Sequence, residues 1–369
     1  MEQDIPQSPL AVYFHIPFCL SKCHYCSFYS VPYRRTEVSE YIRLVSAETA
    51  EYLRRYPELA QADTLYFGGG TPSLLEPSQI AGLLSPFSFG ADAEITLEVN
   101  PLQITPSFIE GLSQTAVNRL SIGLQSMLDT ELVWLSRKHR AEQIPEKLRL
   151  VKDAGYANFS LDLMYGLPGS RISDLDYVLD RYLELEPKHI SAYLLTLDAS
   201  EQGDQQDEDL CADEYEFICG KLKAAGYIQY EISNFAQPGY ESRHNLHYWK
   251  SDDYLGLGAS AAGYLRGKRY TNPADIGAYR LMVEQGGIIP DPETGEHQAE
   301  DYLMMGLRLL QGIELEDFKR RFGRDIAREK QAVTERLIRL GLLRIEDGYM
   351  RLTDSALFIS NAVIGEIIS

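Results

Sequence analysis

Strand-length apolar runs alternate with helix-length periodic segments over residues 11–226, and this alternation limits the fold more than any other feature of the chain. Strands are expected at 11–15, 63–67, 94–99, 118–122, 158–164 and 188–197. Between them helices are expected at 36–56, 77–84, 105–114, 128–154, 172–185 and 211–226, the fourth broken near Pro145. In the first helix Val38, Tyr41, Ile42, Val45, Thr49, Tyr52 and Leu53 recur at three- and four-residue steps, with Thr36 as the expected N-cap. Six strand-then-helix units imply a parallel sheet wrapped by helices, an α/β fold. Six units rather than eight point to an incomplete (β/α)6 TIM-type barrel, whose chemistry belongs at the C-terminal ends of the strands.

Past residue 197 the alternation lapses. Residues 198–210 are acidic and polar and read as a solvated loop. Beyond 235 glycine and aromatic residues become dense, and Gly256-Leu-Gly258-Ala-Ser-Ala261 fits a loose G-x-G-x-x-A pattern. The preceding Tyr248–Leu255 stretch is too polar for a buried Rossmann strand, so a glycine-rich turn is expected there. From 300 to 369 the pattern is helical, then short strands around Leu342–Leu352, then a last helix, as in a small winged-helix-like α+β domain. The charged 316–330 stretch reads as a solvated helix face. The expected division is a core barrel over 1–235, a connecting segment over 236–299 and a C-terminal domain over 300–369.

Three of the five cysteines fall together directly after the first strand, in Tyr13-Phe-His-Ile-Pro-Phe-Cys19-Leu-Ser-Lys-Cys23-His-Tyr-Cys26. Thiols this close suit a soft metal or an iron–sulfur cluster better than a disulfide framework, which needs an even set spread along the chain. A closed zinc site wants a fourth ligand, and a [4Fe–4S] cluster is normally held by four cysteines. Three local thiolates therefore point to a cluster with one open iron. Cys211 and Cys219 lie too far apart for one metal and read as packed thiols, and His15 and His24 as residues shaping the loop.

The C-x3-C-x2-C spacing, with His15-Ile-Pro-Phe18 before it and Tyr25 within it, resembles the radical S-adenosylmethionine (SAM) superfamily. The match is narrowest to the branch of oxygen-independent coproporphyrinogen oxidases and HemW-type haem chaperones. The resemblance implies that SAM chelates the open iron and that the cluster reduces its sulfonium. Gly68-Gly69-Gly70-Thr71-Pro follows the second strand, and glycine lets backbone groups approach a ligand with no Cβ in the way. The resemblance carries SAM contacts onto Tyr13, Gly69, Gly70, Thr71, Glu98, Gln125, Arg137 and Asp162. Their chemistry agrees: an amide that donates and accepts at Gln125, a planar fork for a carboxylate at Arg137, and an acceptor for ribose hydroxyls at Asp162.

A second centre is Arg243-His244-Asn245-Leu-His247-Tyr248-Trp249. Imidazole is a common axial ligand of haem iron, aromatic neighbours suit a flat porphyrin, and Arg243 or Lys250 is a candidate propionate partner. His-Asn-x-x-Tyr-Trp is the motif of HemW-type chaperones, which implies haem contacts at His244, Asn245, Tyr248 and Trp249. His244 is favoured over His247 as ligand, with Asn245 fixing its orientation. Phe28 stands where the oxidases carry a further cysteine, and the long N-terminal extension of those enzymes has no counterpart here.

The expected function is therefore a haem chaperone that binds a [4Fe–4S] cluster, SAM and haem and passes haem to acceptor proteins. The rival is oxygen-independent coproporphyrinogen III dehydrogenase. A ferredoxin or flavodoxin is the expected electron donor, and no catalytic residue is assigned. A net charge of −19 argues against an RNA-modifying relative, which needs a basic surface, and against docking on anionic lipid beyond a weak association. No stretch is apolar enough to span a membrane, and the polar, acidic Met1–Pro9 is no signal peptide, so a cytoplasmic protein is expected.

Overall fold

The computed structural model describes residues 10–196, 207–287 and 298–369. Six parallel strands lie side by side in chain order: β1 (Ala11–Ile16), β2 (Gln61–Gly69), β3 (Ser88–Val99), β4 (Arg119–Gln125), β5 (Phe159–Tyr165) and β6 (His189–Leu194). Strand order without reversal means that every crossover steps the same way, which is barrel winding rather than a doubly wound open sheet. Helices α1 (Arg35–Arg55), α2 (Pro77–Leu84), α3 (Pro106–Leu112), α4 (Asp129–Trp134), α5 (Ile144–Asp153) and α6 (Ile172–Glu184) fill the crossovers, and α7 (Glu208–Ala224) follows β6. Side chains alternate across the sheet: Phe14 stacks on Phe67 in the hydrophobic core, while Tyr13 and Tyr66, one residue earlier on each strand, stack on the opposite face.

Boundaries depart from the sequence reading where local chemistry competes. Helix α1 begins at Arg35, with Arg34 at the N-cap, so Thr36 lies inside the first turn and caps nothing. The 128–154 stretch is broken near Pro145 as expected, into two helices, with Pro145 in the first turn of α5, where its missing N–H costs no hydrogen bond. Residues 198–206 of the expected acidic loop, and residue 197 at the end of the expected sixth strand, lie outside the described residues. Asp207 caps α7 through the Asp209 and Leu210 amides, so 208–210 are helical rather than loop.

The larger miss is in the connecting segment. Past β7 (Ile228–Gln229), β8 (Asn234–Ala236) and α8 (Arg243–Trp249), residues Tyr254–Leu257 form β9, a wholly buried strand parallel to β1. The sequence reading takes Tyr248–Leu255 as too polar for a buried strand, but the polarity sits in Lys250–Asp253 and the strand begins just after it, at Tyr254. Antiparallel β10 (Ala262–Leu265) and β11 (Lys268–Thr271) extend that edge, and α9 (Ile276–Glu284) packs on α1.

Beyond it come α10 (Gln298–Gly306), β12 (Ile313–Glu314), α11 (Leu315–Phe322), α12 (Ile326–Glu329), α13 (Gln331–Arg339), β13 (Leu343–Glu346), β14 (Tyr349–Leu352) and α14 (Ser360–Ile368), with the three strands in one antiparallel sheet. The 316–330 stretch is not one solvated face. Gly323 ends α11 in the left-handed region (φ 67°), and Phe318 and Phe322 pack on Tyr302. No helix among the described residues is long and apolar enough to cross a membrane.

A buried carboxylate fastens the late segment to the barrel. Glu48 of α1 accepts hydrogen bonds from the Gly258 amide (2.8 Å), the Asn272 side-chain amide (2.7 Å) and the Tyr279 hydroxyl (2.5 Å). Burial pushes its carboxyl up to about 7, against the pull of these donors. Glu48→Leu strands three donors at once and is expected to destabilise the fold by about 2–4 kcal/mol in urea titrations, far more than a surface change.

Candidate functional site

The three grouped thiols lie on the loop that leaves β1. Phe18–Cys19 pairs with Val31–Pro32, and hydrogen bonds from the Val31 amide to the Pro17 carbonyl (2.7 Å) and from the Tyr33 amide to the Cys19 carbonyl (2.9 Å) close the loop at its base. Cys19, Cys23 and Cys26 are all free and half-buried. The Thr71 hydroxyl lies 3.6 Å from Cys19 Sγ, and Arg137 Nη1 lies 3.9 Å from Cys23 Sγ. Burial raises the Cys26 thiol, opposed by a bond to the Phe28 backbone, with Cys23 and Cys19 adding repulsion. His24 packs its ring on Trp134 (4.6 Å), and His15 bonds the Tyr29 carbonyl (3.0 Å) and the Tyr13 hydroxyl (3.1 Å), so both shape the loop. Cys211 and Cys219 sit on α7 with thiols pushed up to about 11 by burial. Among the described residues no three His, Cys, Asp or Glu side chains converge tightly enough for a single metal ion.

The glycine loop turns in beside the thiols. The Gly70 amide bonds Ile16 O (2.8 Å), and a Cβ on Gly70 would stand 2.8 Å from Pro17 and Phe18 backbone atoms. Gly69, at φ 111°, lies so close under the His15 ring that a Cβ would meet it at 2.7 Å. Only glycine fits either place. The Gly69 amide donates to Glu98 Oε2 (3.2 Å), and Tyr66 donates to Glu98 Oε1 (3.0 Å).

Three more candidates meet over Gly123, whose bare Cα leaves room for Gln125, Arg137 and Asp162 within 4 Å of one point. Gln125 has φ 73°, at a register shift between β4 and β5 that re-aims its side chain. Arg137 Nη2 donates to Gly123 O (2.5 Å). Gln125 Oε1 and Arg137 Nε are buried without a partner. Burial deep in the barrel pushes Glu98 up to about 8, with the Asp162 charge adding, and lifts Asp162 to about 6 against the Arg119 guanidinium. Both carboxylates are only half-buried by area, as groups lining a chamber are. Tyr13, Gly69, Gly70, Thr71, Glu98, Gln125, Arg137 and Asp162 thus surround one region beside the thiols.

The second motif lies elsewhere. It forms α8, whose N-terminal Arg243 and His244 amides are held by Glu94 (3.2 and 3.0 Å), in the middle of β3 and four residues before Glu98. His244 is completely buried, with Nδ1 2.9 Å from the Thr64 hydroxyl and Nε2 2.6 Å from the Tyr248 hydroxyl. Two corrections follow: His244 presents no free nitrogen to a ligand in this conformation, and Thr64 and Tyr248 fix its ring where Asn245 was expected to. His247 is buried too, but its Nδ1 has no aligned hydrogen bond, with Asp252 Oδ2 at 3.4 Å. Trp249 packs under Arg308 (5.8 Å), its Nε1 unpartnered.

Tyr66 and Thr64 escaped the sequence reading because they look like ordinary strand residues. The available signal was the alternation Thr64, Tyr66, Gly68, a polar and small face opposite Leu65 and Phe67. Arg119, buried with Nε 3.9 Å from Glu94, was passed over in the same way.

A barrel wound in this order, with its free thiols at one mouth, places the chain in the radical SAM class; the Radical SAM superfamily profile matches residues 13–182 and the HemN C-terminal domain profile residues 294–359. Proteins named Heme chaperone HemW are similar along nearly all of it: 33% identity in Lactococcus lactis (97% of each chain) and 32% in Bacillus subtilis (96% of this chain, 98% of that one). The chain belongs to the HemW family of radical SAM proteins. In fold it is similar to the coproporphyrinogen III oxidase HemN of Escherichia coli, with a TM-score of 0.85, 23% identity, and coverage of 100% of this chain and 92% of that one.

Proposed function

We propose that the chain is a haem chaperone that binds a [4Fe–4S] cluster, SAM and haem and delivers haem to acceptor proteins. The observation that carries the SAM part is the pair of buried, unpartnered atoms Gln125 Oε1 and Arg137 Nε beside three free thiols and a glycine loop that admits no Cβ. The donor set fits: three free thiols on one loop can hold three irons of a [4Fe–4S] cluster and leave the fourth open. Cys19, Cys23 and Cys26 would hold the cluster, and Tyr13, Gly69, Gly70, Thr71, Glu98, Gln125, Arg137 and Asp162 would hold SAM. When bound, the cluster supplies a low-potential electron to the SAM sulfonium. The protein's share is to orient: Glu98 accepts from the SAM amino group, Arg137 holds its charge beside Cys23, and Asp162 and Gln125 take ribose hydroxyls. The haem part rests on the name carried by the relatives. In this reading residues 1–235 form the core barrel, 236–299 carry the haem motif, 300–369 complete the fold, and a cytoplasmic ferredoxin or flavodoxin is the electron donor.

Glu98→Ala and Asp162→Ala are expected to weaken SAM binding about 10–150-fold, the loss of one charge-assisted hydrogen bond, with iron content unchanged. Equilibrium dialysis against labelled SAM decides it, and equal affinity in both variants would mean the carboxylates only line the barrel. The pH dependence has a definite sign. In the free protein Glu98 at about 8 and Asp162 at about 6 hold protons that an unfolded chain would release near 4. Their contribution to stability is therefore greatest at low pH and is lost as pH rises through 6 and then 8, by about 2 kcal/mol for Glu98 between pH 6 and 8. SAM carries cationic groups and favours the ionised carboxylates, so its affinity climbs over the same interval, by up to about tenfold per pH unit for each proton released.

The rival is settled by incubating reduced protein with SAM and coproporphyrinogen III under anaerobic conditions. No decarboxylation is expected, and robust turnover without haem binding would replace the chaperone reading.

A further inference from the structure

The helix that bears the haem motif is also the floor of the SAM chamber. Along β2, Thr64, Tyr66 and Gly68 face the barrel interior in successive steps, and each makes a different contact. Thr64 bonds His244 Nδ1, and the Tyr66 ring lies on the His244 imidazole at 5.1 Å and 26°, a stacked contact. The Tyr66 hydroxyl donates to Glu98, whose other oxygen takes the Gly69 amide. Tyr248 closes the arrangement from the far side of the imidazole, edge-on at 5.0 Å. One unbroken set of contacts thus runs from α8 to the glycine loop.

Resting on the SAM reading above, we propose that Tyr66 and His244 are positioning residues of the SAM site: the imidazole is the floor against which the phenol holds Glu98. Among the described residues the hydrogen bonds to Glu98 come from Tyr66 and Gly69, and the Gly69 amide is fixed by backbone, so Tyr66 is the adjustable one. Without the imidazole beneath it the phenol can tilt, and the carboxylate loses a fixed donor.

The test uses full-length, anaerobically reconstituted protein without haem, with iron content and melting temperature recorded for each variant. Tyr66→Phe and His244→Ala are each expected to weaken SAM about 5–10-fold with iron unchanged. The double variant should be no weaker than His244→Ala, because both changes remove the same contact. His244→Phe restores a flat ring under Tyr66 and should recover SAM affinity, although it has no nitrogen to offer a metal. SAM affinity within twofold of wild type in Tyr66→Phe, or losses that multiply in the double variant, overturns the proposal. Those results sink the floor alone if Glu98→Ala still weakens SAM; unchanged affinity in Glu98→Ala sinks the SAM site with it.

Discussion

Cys23→Ala is expected to reduce bound iron to background after anaerobic reconstitution, together with the broad visible absorbance of the cluster. Cys19→Ala and Cys26→Ala should do the same, because these thiols are the grouped set and no other described side chain stands ready to replace one. Cys211→Ala and Cys219→Ala should leave iron at the wild-type level. Those two sit on α7 rather than on the loop that carries the grouped set, and burial pushes their thiols up to about 11. The effect is all-or-none rather than graded, since losing one of three thiolates leaves two irons without a protein ligand. Normal iron in Cys23→Ala would remove the cluster from the account. SAM affinity should fall with the iron in all three loop variants, whereas in Glu98→Ala it falls alone.

The barrel was legible because its signals are local. Each strand from β1 to β6 carries a compact apolar run, and chemistry at strand ends needs only the last residues of the strand, as in Gly69, Glu98 and Gln125. Strand β9 was not legible, since four residues after a polar stretch carry too little pattern and its place beside β1 depends on contacts more than 200 residues away, such as Glu48 with Gly258. Thr36 failed as a cap because the helix starts at Arg35, upstream of the residue with the better capping chemistry. The residues read as SAM contacts line one chamber, but what supports them was invisible: nothing in Thr64-Leu-Tyr-Phe67 says that Tyr66 reaches Glu98 and leans on an imidazole 178 positions later. Burial has the same non-local origin, and it decides the fate of His244.

Haem ligation is expected to fall on His247 rather than His244. For His244 to take iron it must release Thr64 and Tyr248, leave its place beneath Tyr66 and bring a fully buried ring to a ligand. Two buried hydrogen bonds and a stacked contact together cost about 2–4 kcal/mol before any iron–nitrogen bond forms. His247 loses less. Its Nδ1 has no aligned partner and faces Asp252 at 3.4 Å, which suits an imidazole that donates from Nδ1 to a carboxylate while Nε2 binds the metal. Trp249 and Arg308 supply an aromatic face and a cation next to it. Titrating haem into reconstituted protein, His247→Ala should shift the Soret band and lower haem affinity at least about tenfold. His244→Ala should leave the band where it is, weaken haem by no more than about threefold, and show its larger deficit in SAM binding instead. A Soret shift confined to His244→Ala would return the ligand to the buried position and require α8 to swing away from β2, dissolving the floor under Tyr66 whenever haem is bound. In that case haem and SAM must compete, each lowering the affinity of the other by the same factor. The same titration repeated in saturating SAM reads this directly: with His247 as the ligand the two bind independently, and α8 keeps its place while haem comes and goes.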